Sequence, residues 1–508
     1  MTQQQRSQTH AAPRLLIEAA EAYPAFEQRM LAAKDEVLMG FRIFDPDTKL
    51  RSDEARKIGD CWADLLRHTL ERGVRIDIAL CDFDAVAATD LHECTWTSVR
   101  KLQDLRDSLS PDAAPLTIRP LLHPAELGLL PKALFWPAIR FRLWQLRNKA
   151  QPEADMKHSR VPGLRALLDR ARELNGHPAT HHQKLAVFDR RWLYLGGLDL
   201  DDRRYDDNTH DQPTQETWHD VQVLLDDPDR AAAAATHLET FADICARKAP
   251  LEKAPGLLRS LSTRRHRPNL WFMSPKSLCS EIGVAHFNHI AHAEQLIYLE
   301  TQYFRAKTLA RALANRAREQ PGLRLILLLP GAPDSVAFEQ NPALDGRYGD
   351  HLQTRCIDIL LDAFGDRCLL VSPAQPRRTD TQDEGNARNS LDGAPIIYVH
   401  AKLSIFDDTA AIVGSANLNG RSLNWDTEVG VDLTDPGLPA RFRDRMHRHW
   451  WPDTTPPALV DFHDDWRSRV SDDTKRAPED RKGFLLPYNH DAARATSLPL
   501  PGAPEDMV

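Results

Sequence analysis

The chain is predicted to be an α/β protein of two similar halves, each a mixed β-sheet flanked by helices. Three observations predict it. Strand-like apolar runs alternate with segments of helical period. That alternation occurs twice along the chain. Each series leads into the same eight-residue pattern, once at 182–189 and once at 400–407. At 508 residues the chain is long enough for two such units, each with its own core.

In the first half, residues 37–43 (VLMGFRI) read as a buried strand and 53–72 as a helix. The alternation Val-Arg-Ile-Asp-Ile makes 74–80 a strand, followed by a helix at 91–105 and a short strand at 116–119. The second half runs the same way. Helices are expected at 281–293, 309–319 and 351–364, with strands at 296–300, 323–329 and 368–371. Such alternation builds sheets covered by helices. Three segments break the pattern. Residues 372–394 are polar and rich in Pro, Asp, Arg and Asn, which reads as a long loop. Residues 248–268 are basic, contain Pro and lack an amphipathic period, so they are read as a linker. The division expected is therefore an N-terminal half at 1–247, this linker, a C-terminal half at 269–451 and an extended tail at 452–508.

Composition bounds the function. A hydrophobic fraction of 42% with 27% charged residues belongs to a soluble globular protein. The net charge of −8 argues against a dedicated nucleic-acid binder, and no nucleic-acid partner is expected. Seven scattered cysteines form no Cys-x-x-Cys pair, which suggests neither a disulfide framework nor a zinc cage. The N-terminal residues lack the apolar core of a signal peptide, and no run of 18 apolar residues occurs. Cytoplasmic residence, with a peripheral membrane association, is the expectation.

The chemistry lies in the repeated pattern. One copy is His182-Gln183-Lys184-Leu-Ala-Val-Phe-Asp189; the other is His400-Ala401-Lys402-Leu-Ser-Ile-Phe-Asp407. His and Lys two positions apart share one face of a strand. An imidazole beside an ammonium suits a phosphate: one attacks or transfers a proton, the other neutralises charge. Coincidence among 21 histidines is the competing reading. The downstream stretches Gly196-Gly197-Leu198-Asp199-Leu200 and Gly414-Ser415-Ala416-Asn417-Leu418-Asn419 oppose it, because they too correspond.

The doubled His-x-Lys-(x)4-Asp motif resembles that of the phospholipase D superfamily. Three further stretches are similar to its eukaryotic-type members: Trp218-His219-Asp220, Ile397-Tyr398-Val399, and Glu300-Thr301-Gln302-Tyr303-Phe304, which departs at Thr301. The form implied is a stand-alone catalytic core of bacterial style, with the two halves packed about a pseudo-two-fold axis. The resemblance implies that His182 attacks phosphorus, that protonated His400 serves the leaving alcohol, and that water or another alcohol resolves the phosphohistidine. Asp220 and Glu428 occupy the positions of acids that hold the imidazoles. Lys184 and Lys402, with Asn417, Ser415 and Gly197, are placed on the phosphate. Asp189 and Asp407 are read as structural, since their end of the strand points away from the site. Asp199 stands where some members carry Asn, and an acid there would repel substrate unless hydrogen-bonded. No cofactor and no metal is expected, and the adjacent pair His181-His182 is not read as metal ligands.

The function implied is hydrolysis or transphosphatidylation of glycerophospholipids. Alternatives are a phosphatidyltransferase resembling cardiolipin synthase and, less favoured, a nuclease of the superfamily. Within an insertion near 121–160, the stretch 131–149 (PKALFWPAIRFRLWQLRNK) mixes four large aromatics with five basic residues and no acid. Two readings stay open for it: contact with an anionic membrane surface, or an amphipathic helix packed on the core.

Overall fold

The computed structural model describes residues 11–149, 176–266, 268–338, 344–385, 388–500 and 504–507. Among these, two large sheets form the frame. The first holds β1 (Arg14–Ile17), β2 (Glu36–Phe41), β3 (Arg75–Asp82), β4 (Leu116–Leu122), β5 (Leu185–Phe188), β6 (Trp192–Gly196) and β7 (Val221–Asp226). Its spatial order is β1-β7-β6-β5-β2-β3-β4. The second holds β8 (Leu258–Thr263), β9 (Lys276–Ser280), β10 (Leu296–Thr301), β11 (Arg324–Leu328), β12 (Cys368–Pro373), β15 (Lys402–Phe406), β16 (Ala410–Gly414), β17 (Glu428–Leu433) and β18 (Leu485–Pro487). A small hairpin, β13 (Ser390–Leu391) with β14 (Ala394–Pro395), lies in the 372–394 loop.

The order of the second sheet is β18-β12-β11-β10-β15-β16-β17-β8-β9. Without its flanking strands β9 and β18, it repeats the first sheet position for position, β8 standing where β1 does. In each sheet three strands run parallel (β2-β3-β4 and β10-β11-β12) and the motif strand is antiparallel to the first of them. The chain is a duplicated mixed α/β unit.

The two sheets share one apolar core, in which Val187, Leu193 and Val223 of the first meet Leu403, Val413 and Val431 of the second. The outer faces carry helices: Glu18–Ala32, Trp62–Glu71 and Thr89–Asp107 on one side, Glu281–His292, Lys307–Glu319 and Leu344–Phe364 on the other. Strands closed on both faces are mostly apolar, and β2, β10 and β15 are buried at every position, with Glu36, Glu300, Thr301, Lys402 and Ser404 as their polar members.

Three expectations are corrected. The stretch 248–268 is not only linker, because β8 within it joins the sheet of the C-terminal half, pairing with β17 on one side and β9 on the other. The tail from 452 is not extended: Leu459–Thr474 is a helix, β18 adds to β12, and His490–Thr496 is a second helix. Its prolines and charges masked an apolar stripe, Phe462, Trp466 and Val470 at four-residue spacing, which enters the shared core. The helix expected over 53–72 begins only at Trp62. There the Asp64 carboxylate accepts from the backbone N–H of Asp60 and Cys61, which fixes the start.

Candidate active site

Both motif histidines sit where a motif strand begins, on the seam between halves. The backbone N–H of His182 donates to the Thr427 carbonyl at 2.9 Å, and that of His400 to the His219 carbonyl at 2.7 Å. Each seam bond thus joins one half to the residue just before an acid of the other. The side chains follow: His182 Nδ1 lies 2.9 Å from Glu428 Oε1, and His400 Nδ1 lies 2.6 Å from Asp220 Oδ2. The pairing is crossed. Neither acid serves the histidine of its own motif.

Lys184 and Lys402 are buried beside these imidazoles, and each Nζ donates back to the carbonyl of its own motif histidine. Burial, then Lys184 and Arg42, hold the His182 pKa well below its ordinary value. Burial, then Lys402, Lys184 and Arg204, do the same to His400. The expected contrast between a neutral His182 and a protonated His400 is not set up by these surroundings, where burial first and then a shared surplus of positive charge lower both rings. The paired acids move the other way. Burial raises Asp220 to about 7 and Glu428 to about 8, and it lowers Lys402 to about 7. Each His–acid pair therefore keeps its shared proton at a pH where an exposed carboxylate would have lost it. An arriving phosphate anion would relieve the surplus charge.

Two residues expected on the phosphate do other work. The Gly197 N–H is spent on the Val221 carbonyl at 3.2 Å, and the space beside its Cα is filled by Asp220. The Ser415 hydroxyl donates to Glu428 and accepts from the Val429 N–H. At equivalent positions, one residue makes room for an acid and the other binds it. A Cβ on Gly197 would stand 2.1 Å from Asp220 Oδ1. Gly197→Ala is therefore expected to displace the acid that orients His400 and to reduce turnover about 100-fold. Turnover within a few-fold of wild type would refute that role.

Asp189 and Asp407 lie off the pocket and act alike. Asp189 accepts from the N–H of Lys34, Asp35 and Glu36; Asp407 accepts from those of Glu294, Gln295 and Leu296. Each thereby ties the far end of its motif strand to the start of β2 or β10. Asp199 accepts from the Ile43 N–H at 2.8 Å and stands 3.7 Å from Lys184 Nζ, so its charge is neutralised within the protein. Asn417 Nδ2 approaches Gln302 Oε1 at 3.3 Å, while Asn417 Oδ1 is buried with no hydrogen-bond partner among the described residues. Gln302 in turn donates to the hydroxyls of Tyr303 and Tyr398.

The chain is similar to several known proteins. A family model described as cardiolipin synthase, PLD-like domain, matches residues 287–450. Phospholipase D beta 1 of Arabidopsis thaliana is 22% identical over 529 aligned residues, covering 77% of this chain and 47% of that protein. Phospholipase D1 of Mus musculus is 27% identical over 188 residues, covering 32% of this chain and 17% of that protein. This chain resembles the phospholipase D superfamily, and these matches support its membership. It spans less than half the length of these two relatives. Its fold is also that of phosphatidylserine synthase from Haemophilus influenzae Rd KW20, with a TM-score of 0.53 at 13% identity over 86% of this chain and 85% of that one. Among the described residues, no helix is long and apolar enough to cross a membrane.

Sequence reasoning missed the support behind this superfamily site. The Trp218 ring lies against His400 with centroids 4.7 Å apart, and the Arg204 guanidinium lies over the Trp218 ring at 3.7 Å. Beneath Asp220, His219 bridges Glu18 and Glu300 through its two ring nitrogens. Glu18 also binds the Asp220 backbone in both directions, its N–H donating to the Asp220 carbonyl and its carboxylate accepting the Asp220 N–H. His210, held by Asp206, and His449 complete the cluster. Glu18, His210, His219 and His449 could converge on a metal ion, as could His123, His181 and Cys245. In the first group, though, both His219 nitrogens and His210 Nδ1 already face carboxylates. The signals available in sequence were the stretches Trp218-His219-Asp220 and Glu300 to Phe304, which do not say what these side chains contact.

This network titrates. Burial alone would lower the His219 pKa, but Glu18 and Glu300 more than reverse it, to about 10 from 6.5. A raised histidine stabilises the fold fully below about pH 6.5, and that contribution is lost as pH rises through about 10. The melting-temperature gap between wild type and His219→Gln should be widest below pH 6.5 and close toward pH 10. A gap that widens with rising pH would contradict a charged His219.

Proposed function

We propose that the chain is a phospholipase D-type phosphodiesterase that cleaves glycerophospholipids through a phosphohistidine on His182. The observation that carries this reading is the crossed pair of His–acid contacts in one pocket lined by Lys184 and Lys402. His182, oriented by Glu428, attacks phosphorus with its free Nε2. The P–O bond to the headgroup alcohol breaks, and the Asp220–His400 pair delivers the proton to the leaving oxygen. Lys184 and Lys402 stabilise the charge gathering on the phosphoryl oxygens. Water then attacks the phosphohistidine, His400 takes its proton, and phosphatidic acid leaves. The family model and the relatives' names support a lipid phosphodiester as substrate.

A second reading has one observation in its favour, the cardiolipin synthase description of the matching family model. In that case the resolving nucleophile is an alcohol and the product is a new diester. Both readings are separated by incubating the enzyme with short-chain phosphatidylcholine, with and without ethanol or glycerol, and resolving the lipids by mass spectrometry. Phosphatidic acid in water, with phosphatidylethanol when ethanol is present, supports the first reading. Diester formed from glycerol with little phosphatidic acid favours the second. Release of no headgroup under any condition overturns both.

A further inference from the structure

The stretch that sequence left between membrane and core is a helix, Leu129–Lys149, on which Leu143 is buried while Leu129, Leu130, Leu134, Trp136, Phe141 and Trp144 are exposed. Leu134 is 76% exposed, Phe141 and Trp144 are each 60% exposed, and Trp136 is 41% exposed. Phe141 and Trp144 stack on one another, with centroids 6.0 Å apart. Arg140 is exposed and Arg142 half-buried. The remainder of the insertion expected near 121–160, residues 150–160, lies outside the described residues.

A second apolar segment, from the other half of the chain, is stapled to this helix. The N–H groups of Gly128, Leu129 and Leu130 donate to the carbonyls of Phe272, Asn269 and Leu270, each at 2.9 Å. Gly128 permits the approach, because a Cβ there would meet Asn269 Oδ1 and the Phe272 carbonyl at 3.0 Å. On this loop Leu270, Trp271 and Phe272 are all exposed, Trp271 by 70%. Arg265 lies over the Phe272 ring at 4.0 Å. Neither the helix nor residues 264–278 contain an acidic residue.

The position relates this face to the catalytic pocket. The Leu127 N–H donates to the Gly176 carbonyl at 3.0 Å, and His177 Nδ1 lies 2.9 Å from the His123 carbonyl. From Gly176 the chain reaches His182 in six residues, the Thr180 N–H donating to Asp426 on the way.

We propose that the face formed by the Leu129–Lys149 helix and the 269–272 loop is a docking surface for an anionic lipid bilayer. The proposal rests on the lipid-substrate reading above and adds the means of reaching that substrate. Exposed aromatics seat at headgroup depth, while basic residues without acids are drawn to anionic headgroups. With a net charge of −8 the chain as a whole is repelled by such a surface. The attraction must therefore be local, which a Debye length of about 8 Å at physiological salt allows.

Co-sedimentation with vesicles of phosphatidylcholine, with and without phosphatidylglycerol, tests this. Wild type is expected to bind the anionic vesicles more tightly, and salt should weaken the binding. Two variants, Phe141→Ser with Trp144→Ala and Trp271→Ala, and Arg140→Glu with Arg142→Glu, should each bind anionic vesicles at least about tenfold more weakly. Turnover of a soluble short-chain phosphodiester should stay unchanged in both, since the catalytic histidines are untouched. Should a helix substitution lower the melting temperature, Trp271→Ala alone, in a loop, serves as the test and is expected to weaken binding in the same direction. Equal binding to neutral and anionic vesicles, or wild-type affinity in the variants, overturns the proposal. So does a concentration-dependent wild-type dimer in light scattering that the aromatic variant abolishes, because the face would then belong to a second copy. Vesicle binding without turnover of the soluble substrate would instead remove the catalytic reading and leave the docking surface standing.

Discussion

Replacing His182 or His400 by alanine is expected to lower phosphodiester turnover by at least about 10³-fold. In the mechanism proposed above, the first change removes the nucleophile; the second removes the group that protonates the leaving oxygen and later deprotonates water. Because both act on one phosphorus, the double variant should be little worse than either single one, far from the product of the two losses. Neither change should unfold the protein, since each ring lies at the pocket and the motif strand is held at its other end by Asp189 or Asp407. Hydrolysis of short-chain phosphatidylcholine, measured beside the melting temperature, checks this. A single variant that keeps near wild-type turnover would remove the phosphohistidine mechanism.

The crossed pairing makes the second large prediction. Asp220→Asn and Glu428→Gln should each reduce turnover about 10²- to 10⁴-fold, by leaving an imidazole without the carboxylate that orients it and shares its proton. Their signatures should differ. Asp220 holds His400, which serves as acid in the first step and base in the second, so with a substrate whose leaving group needs no proton Asp220→Asn should let phosphoryl-enzyme accumulate on His182. Glu428 holds His182, the attacking group, so Glu428→Gln should slow formation of that adduct. Acid quenching followed by peptide mass spectrometry of the His182 segment reads the difference. Accumulation in Glu428→Gln and none in Asp220→Asn would mean that each acid serves its own motif, contrary to the geometry.

How much was legible in sequence can be judged from particular residues. The duplication was, because burial on both faces favours mostly apolar runs in strands such as β2, β10 and β15, and that demand is written locally. The two motifs were, because a histidine and a lysine must share a strand face at fixed spacing. The strand β8 and the tail helix Leu459–Thr474 were not. Their apolar positions are few and sit among prolines and charges, and only the partners β17 and the shared core make them regular.

The sequence by itself determined the fold class, the two strand beginnings that carry His182 and His400, and the residue types available to meet a phosphate. Only the tertiary structure decided which acid holds which histidine. It also took Gly197 and Ser415 off the phosphate and put them on Asp220 and Glu428. It turned the aromatics of Leu129–Lys149 outward beside a loop from the other half of the chain. The physical reason is the same in each case. Strand periodicity is a local property of neighbouring residues, whereas these contacts join positions such as 182 and 428, or 220 and 400, that meet only when two sheets close on a common seam.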